Sequence, residues 1–344
     1  MGGLAIVTAM VVDLFGTLVI TGGITAAWRP SRLFYHWTWI AWRAVGRRMK
    51  AAHRFERWLA IYAPLSMLSL LLMWLAGLAV GWALVYRGLL GELHSASDFL
   101  SLLYYSGSIL LTPSFGEVTF TTAPAGMLTL VETVTGLGTI ALLISYLPVL
   151  YGAYNRREAR LLTLDDPSGE RIMPVSLIEL QTRRGGLDRL YRFFEEWELW
   201  TAEILESHVS YPMLAYFRSQ HAGQSWITAL GVVLDAATLA AAAIPDAEGR
   251  EPYFMHRRGR RAVDEITLRL HVPQTGVSWM SRELFDLAYG RLRASGLPVG
   301  EADSSWQRLV TLRETYGVRL QSLIDYLVAP AGFWGHSADL ATPS

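Results

Sequence analysis

No cysteine occurs among the 344 residues, which excludes a disulfide framework and any cysteine-ligated metal centre and leaves the redox state of the compartment unreadable. Lysine is almost missing as well, Lys50 being the single one, so positive charge here means arginine. Charge is scarce, at 17% of residues against 52% hydrophobic, and of the 60 charged side chains only 15 precede Arg156. The chain therefore has a membrane-like first half and a soluble-like second half. There is no dinucleotide fingerprint, no phosphate-binding loop and no catalytic triad signature, which points away from an enzyme and from a nucleotide-binding domain. No metal or organic cofactor is expected. His208 with Glu203 and Glu206 is the nearest approach to a ligand set, and a satisfied histidine is the ordinary role of such a residue.

What is present is long apolar sequence. Leu4 to Ala27 has a single charge, Asp13, and is long enough to cross a hydrocarbon core of ~30 Å; without a basic leader it reads as a span and not as a cleaved signal. Trp58 to Tyr86 carries no charge, and Met127 to Tyr154 carries only Glu132 before Arg156, Arg157 and Arg160. Between the first two spans Arg29, Arg32, Arg43, Arg47, Arg48, Lys50, Arg54 and Arg57 are opposed by Glu56 alone. Bracketed by apolar spans, this cluster marks the cytoplasmic side and does not suggest nucleic-acid binding. Residues 29–57, with Phe34, Trp37, Trp39, Ile40 and Trp42, read as a basic amphipathic helix on the inner membrane face.

Phe99 to Asn155 holds just two charges, Glu117 and Glu132. If residues 99–116 crossed fully, Arg156, Arg157 and Arg160 would be left outside, so the charge pattern favours a re-entrant segment that dips in and returns on the same side. Non-helical backbone at that depth survives only when protein buries it or when it lines a water-filled cavity.

At the interruption stands Thr112-Pro113-Ser114-Phe115-Gly116-Glu117. Span, outer loop, short helix, Thr-x-x-aromatic-Gly-acid and span, over residues 58–160, resembles the pore module of the two-transmembrane and two-pore-domain-like potassium channels of bacteria. In that family the filter reads Thr-Val-Gly-Tyr-Gly-Asp, so Thr112, Phe115, Gly116 and Glu117 match or are conservative while Pro113 and Ser114 depart. The resemblance implies a pore helix ending at Tyr104 to Leu111, a filter at 112–117, potassium or sodium as the permeant ion, and a homotetramer to close a ring around it. Ser114 stands where a glycine of positive φ is used, at a cost of about 1–2 kcal/mol per chain, and Pro113 removes an amide and fixes its own φ. A rearranged, weakly selective filter follows, with Thr112 and Ser114 hydroxyls and Glu117 carboxylates as substitute cation ligands.

In the last span Gly136, Gly138 and Pro148 fit a gating hinge, or equally ordinary small-residue packing, and Leu143, Leu147 and Tyr151 lie at helical spacing to line the pore. Glu132 and Asp13 are intramembrane carboxylates; Glu132 is expected near Thr112 or Ser108. Beyond Arg156 the pattern is helical, with Trp226 to Ile244 read as a buried core helix in preference to another span.

The fold expected is thus an all-α membrane protein: an N-terminal transmembrane helix (1–28), an interfacial helix (29–57), a tetrameric pore-loop module (58–155; span 58–86, re-entrant 98–118, span 125–155) and a helical cytoplasmic domain (156–344). It lies in the bacterial inner membrane, N-terminus outside and C-terminus cytoplasmic, with a regulatory ligand or protein partner at the last domain left unnamed. The expected function is conduction of monovalent cations; genuine potassium selectivity and a non-conducting adaptor with a decayed pore are the alternatives.

Overall fold

Runs of apolar residues with few helix breakers give long helices. The computed structural model describes residues 1–20, 29–49, 52–88, 98–111, 123–164, 173–219, 224–245, 247, 249–276 and 280–330. Among these every regular element is a helix, and the chain divides into two compact units, Met1–Gly152 and Ala153–Ser344.

The first unit contains α1 (Gly2–Leu18), α2 (Pro30–Gly46), α3 (Ala52–Arg87), α4 (Phe99–Leu111) and most of α5 (Ala123–Leu161). With 17 residues α1 is about 25 Å long, shorter than the span read over 1–28. Residues 21–28 lie outside those described. α1 runs antiparallel to α3 in a seat of glycines: a Cβ on Gly3 would lie 2.6 Å from the Gly81 carbonyl oxygen, and one on Gly77 2.7 Å from the Met10 sulfur. Small residues let the two backbones approach where lipid offers no hydrophobic drive.

Residues 29–57 do not form the single interfacial helix that their amphipathic pattern suggests. α2 ends at Gly46, and α3 already starts at Ala52, six residues before the expected 58. The turn folds α2 back along α3 because Gly46 leaves room for the Phe55 ring, 2.8 Å from where its Cβ would be. The Trp42 and Trp58 rings stack at 4.0 Å and 11°, and each indole N–H donates to the other residue's carbonyl at 3.0 Å. Part of the aromatic stripe that suggests lipid contact is therefore covered by protein: Trp39 is 1% and Tyr62 2% exposed, while Trp37 remains 64% exposed.

The second unit takes up the end of α5 and adds α6 (Pro174–Ser210), α7 (Trp226–Ala243), α8 (Glu251–Leu270), α9 (Arg282–Ala294), α10 (Ala302–Glu314) and α11 (Gly317–Leu327), with a 3-10 turn at Pro212–Tyr216. α6 is two helical stretches joined at Gly185 and Gly186, the latter with φ 68. Among the described residues three helices are long and apolar enough to cross a membrane, within Arg54–Arg87, Gly126–Leu164 and Trp226–Ala243, but their most apolar windows are 39%, 28% and 89% buried in protein respectively. The apolarity of α7 is thus spent on packing inside the second unit. Gly259 of α8 admits Leu234, whose Cδ1 is 2.8 Å from the Cβ position, and Arg313 donates to the buried Asp235 at 3.2 Å.

Candidate functional site

The short helix α4 starts at Asp98, whose carboxylate accepts from the Ser101 amide at 3.2 Å as an N-terminal cap. Its buried residues, Leu102, Tyr105, Ser106, Ile109 and Leu110, fall at i, i+3, i+4, i+7 and i+8, so one face packs on the unit. The opposite face carries Leu100, Tyr104 and Leu111, exposed at 70%, 81% and 57%. At 13 residues α4 is about 20 Å long, too short for a ~30 Å core.

Direction is fixed by three contacts with α5. The Tyr105 hydroxyl lies 3.4 Å from the Thr129 hydroxyl, the Ser106 hydroxyl donates to Glu132, and the Leu110 carbonyl oxygen occupies the space a Gly136 Cβ would need. The partners rise together in sequence, so α4 and α5 run in the same sense. Leu111 consequently ends level with Leu137, while α5 begins at Ala123, about 20 Å back along the axis. Residues 112–122, which contain Thr112, Pro113, Ser114, Phe115, Gly116 and Glu117, lie outside those described.

Glu132 is completely buried where α3, α4 and α5 meet. One carboxylate oxygen accepts from the Tyr86 hydroxyl at 2.5 Å and the other from the Ser106 hydroxyl. Sequence spacing suggests Thr112 or Ser108 as its partner; the Ser108 hydroxyl instead donates to the Tyr105 carbonyl at 2.7 Å, because a serine can bond back within its own helix. Tyr86 and Ser106 were not legible as ligands of this acid, since they come from helices 46 and 26 residues away.

Asp13 is the second such acid, 3% exposed. It accepts from the Ser31 amide and hydroxyl at 3.0 and 2.7 Å and from the Trp74 indole at 2.9 Å, with the Arg29 guanidinium at 4.0 Å. Gly16 leaves that guanidinium its space, since a Cβ there would collide with the Arg29 Nη2 atom. Both carboxylates thus tie three helices together.

Gly136 is a seat for the end of α4, whereas a Cβ on Gly138 would meet none of the described residues within 4 Å. α5 continues as helix through Pro148. Leu143 and Leu147 are half-buried and Tyr151 is 42% exposed.

No family model matches the chain, and no solved structure matches it. It is similar to the "Uncharacterized membrane protein YdjJ" of Bacillus subtilis (strain 168), 23% identical over 337 residues that cover 85% of this chain and 89% of that protein. This chain is a membrane protein. The likeness runs through both units, and the long helices α3 and α5, largely unburied by protein, are the elements that lipid accommodates.

Proposed function

We propose that the protein is a homotetrameric channel for monovalent cations in the bacterial inner membrane, with an altered potassium-channel-like filter at residues 112–117 and a helical cytoplasmic domain that assembles or regulates it. The observation that carries this reading is the shared direction of α4 and α5. A helix too short to cross, followed by a helix of the same sense that starts about 20 Å back, is the arrangement a re-entrant pore helix requires. The carboxyl end of α4 then offers partial negative charge to a cation path, and Thr112, Ser114 and Glu117 supply oxygen ligands there. Gly138 and Pro148 serve as the points where α5 bends, with Leu143, Leu147 and Tyr151 on the inner conduit.

Reconstitution of the full chain in liposomes tests the proposal. Cation flux with a weak potassium-over-sodium preference is expected from reversal potentials, and replacing Pro113-Ser114 by Val-Gly is expected to sharpen that preference. Absence of flux from folded, tetrameric protein overturns the reading, as does a permeability ratio indifferent to the double substitution.

A further inference from the structure

A helix held only by apolar contacts can slide and rotate by fractions of an ångström at little cost, whereas hydrogen bonds to a carboxylate fix both distance and direction. Leu102, Tyr105, Ile109 and Leu110 give α4 its apolar seat against Leu78, Trp82, Ala83 and Tyr86. On top of that seat stands one ionisable group, and it is not at the edge of the packing: Glu132, Tyr86 and Ser106 are each 0% exposed. Neither hydroxyl competes for the same oxygen, Tyr86 taking Oε2 and Ser106 taking Oε1. A leucine at 132 would fill comparable space without the desolvation that a carboxylate suffers there, so packing alone gives no reason for an acid.

The three helices are also unequal. α3 and α5 are long and continuous, of 36 and 39 residues, while α4 has 13 and ends at Leu111, immediately before the filter-like hexapeptide. The clasp anchors the short element to the two long ones one and a half turns before that end. Four residues further along, Gly136 brings its backbone against Leu110.

We propose that Glu132 of α5 is a positioning residue: by holding Ser106 of α4 and Tyr86 of α3 it sets the height and rotation of α4, and thereby the geometry of the cation path that begins at Thr112. This rests on the channel reading for its consequence in permeation, but not for the placement of α4 itself.

The cysteine-free chain allows the two to be separated. Cysteine introduced at Leu111, which is exposed at the end of α4, reports the placement of that helix through its rate of reaction with a water-soluble maleimide in the reconstituted full-length protein. E132Q cannot accept from both hydroxyls with its amide nitrogen, and Y86F and S106A each delete one donor. Each is expected to change the labelling rate by about threefold to tenfold, with the Y86F/S106A pair adding little to E132Q, because all three remove one unit. In the same vesicles the potassium-over-sodium permeability ratio is expected to shift while the tetramer persists. Thr135→Val, which deletes a hydroxyl donating to its own helix at the Val131 carbonyl, is the control and leaves both unchanged. Should E132Q fail to fold, Y86F and S106A decide alone. Labelling and permeability within twofold of the parent in the folded variants overturn the proposal. If the parent conducts nothing, the channel reading falls and the labelling rates still judge the clasp.

Discussion

Two buried imidazoles of the second unit make its stability depend on pH with a definite sign. His208 is 1% exposed and uses Nδ1 to donate to the Ile204 carbonyl at 2.8 Å, while Nε2 has no hydrogen-bond partner among the described residues. Burial, and then the nearby Arg157 guanidinium, push its pKa down to about 3. His256, 3% exposed and 3.1 Å from the Thr238 hydroxyl, is lowered to about 4, by burial first and then by Arg260. In the unfolded chain both bind a proton near pH 6.5, so between pH 6.5 and 4 the unfolded state holds more protons and stability falls as pH falls. By pH 4 the loss amounts to about 3 kcal/mol for each histidine, and that of His208 continues to grow towards pH 3. Thermal unfolding followed by circular dichroism at pH 7 and pH 4.5 is expected to show this loss, and His256→Asn is expected to reduce it. Equal pH dependence in parent and variant contradicts the assignment.

At the scale of elements, α1 depends on having no side chains where it meets α3. A Cβ on Gly81 would lie 2.8 Å from Val7 Cγ2 and 3.1 Å from the Val7 backbone nitrogen, and neither can withdraw without moving the helix. Gly81→Val is therefore expected to lower stability by about 1–3 kcal/mol, as overpacking does, and to loosen α1 in hydrogen exchange of detergent-solubilised protein. Unchanged protection of residues 3–14 would place the contact elsewhere.

The apolar runs that become α3 and α5 and the burial of α7 were readable because they follow from local hydropathy and charge, whereas the polar ends that lengthen both helices were not. The return of α2 onto α3 was not: an amphipathic stripe shows that one face is apolar without showing whether lipid or protein covers it. The start of α8 at Glu251 is hard to see in the sequence, since an arginine-dense stretch conceals the Met255, Gly259, Ala262, Val263 and Ile266 face. α10 and α11 form one continuous apolar pattern in the sequence but are two helices, broken at Thr315 and Tyr316, where the Tyr316 hydroxyl turns inward to Asp235 at 2.5 Å. The Glu132 clasp was half legible, as an acid in an apolar run, but its partners are a matter of three helices meeting.

For the whole molecule the decisive quantity is the side of the membrane on which each helix end lies. Tyr86 meets Glu132, and Leu70 and Trp74 share a cluster with Leu142, so α3 and α5 run antiparallel. The amino end of α3, with Arg54 and Arg57, and Gly152 of α5 are then at the same end of the first unit, and Arg156 follows one turn later on the same helix. On the channel reading α4, which shares the sense of α5, is the re-entrant segment and not a separate crossing. On the same reading, the end of the first unit that carries Arg54 and Arg57 is the cytoplasmic one, as the arginine bias of the sequence asks. Single cysteines in the otherwise cysteine-free chain test this directly. Arg54→Cys and Arg156→Cys are expected to react with an impermeant maleimide only in inverted vesicles, and Gly2→Cys and Leu100→Cys only in intact cells. Labelling of Arg156→Cys from outside while Arg54→Cys reacts only from inside would break the antiparallel relation of α3 and α5 and remove the re-entrant segment on which a four-fold pore depends.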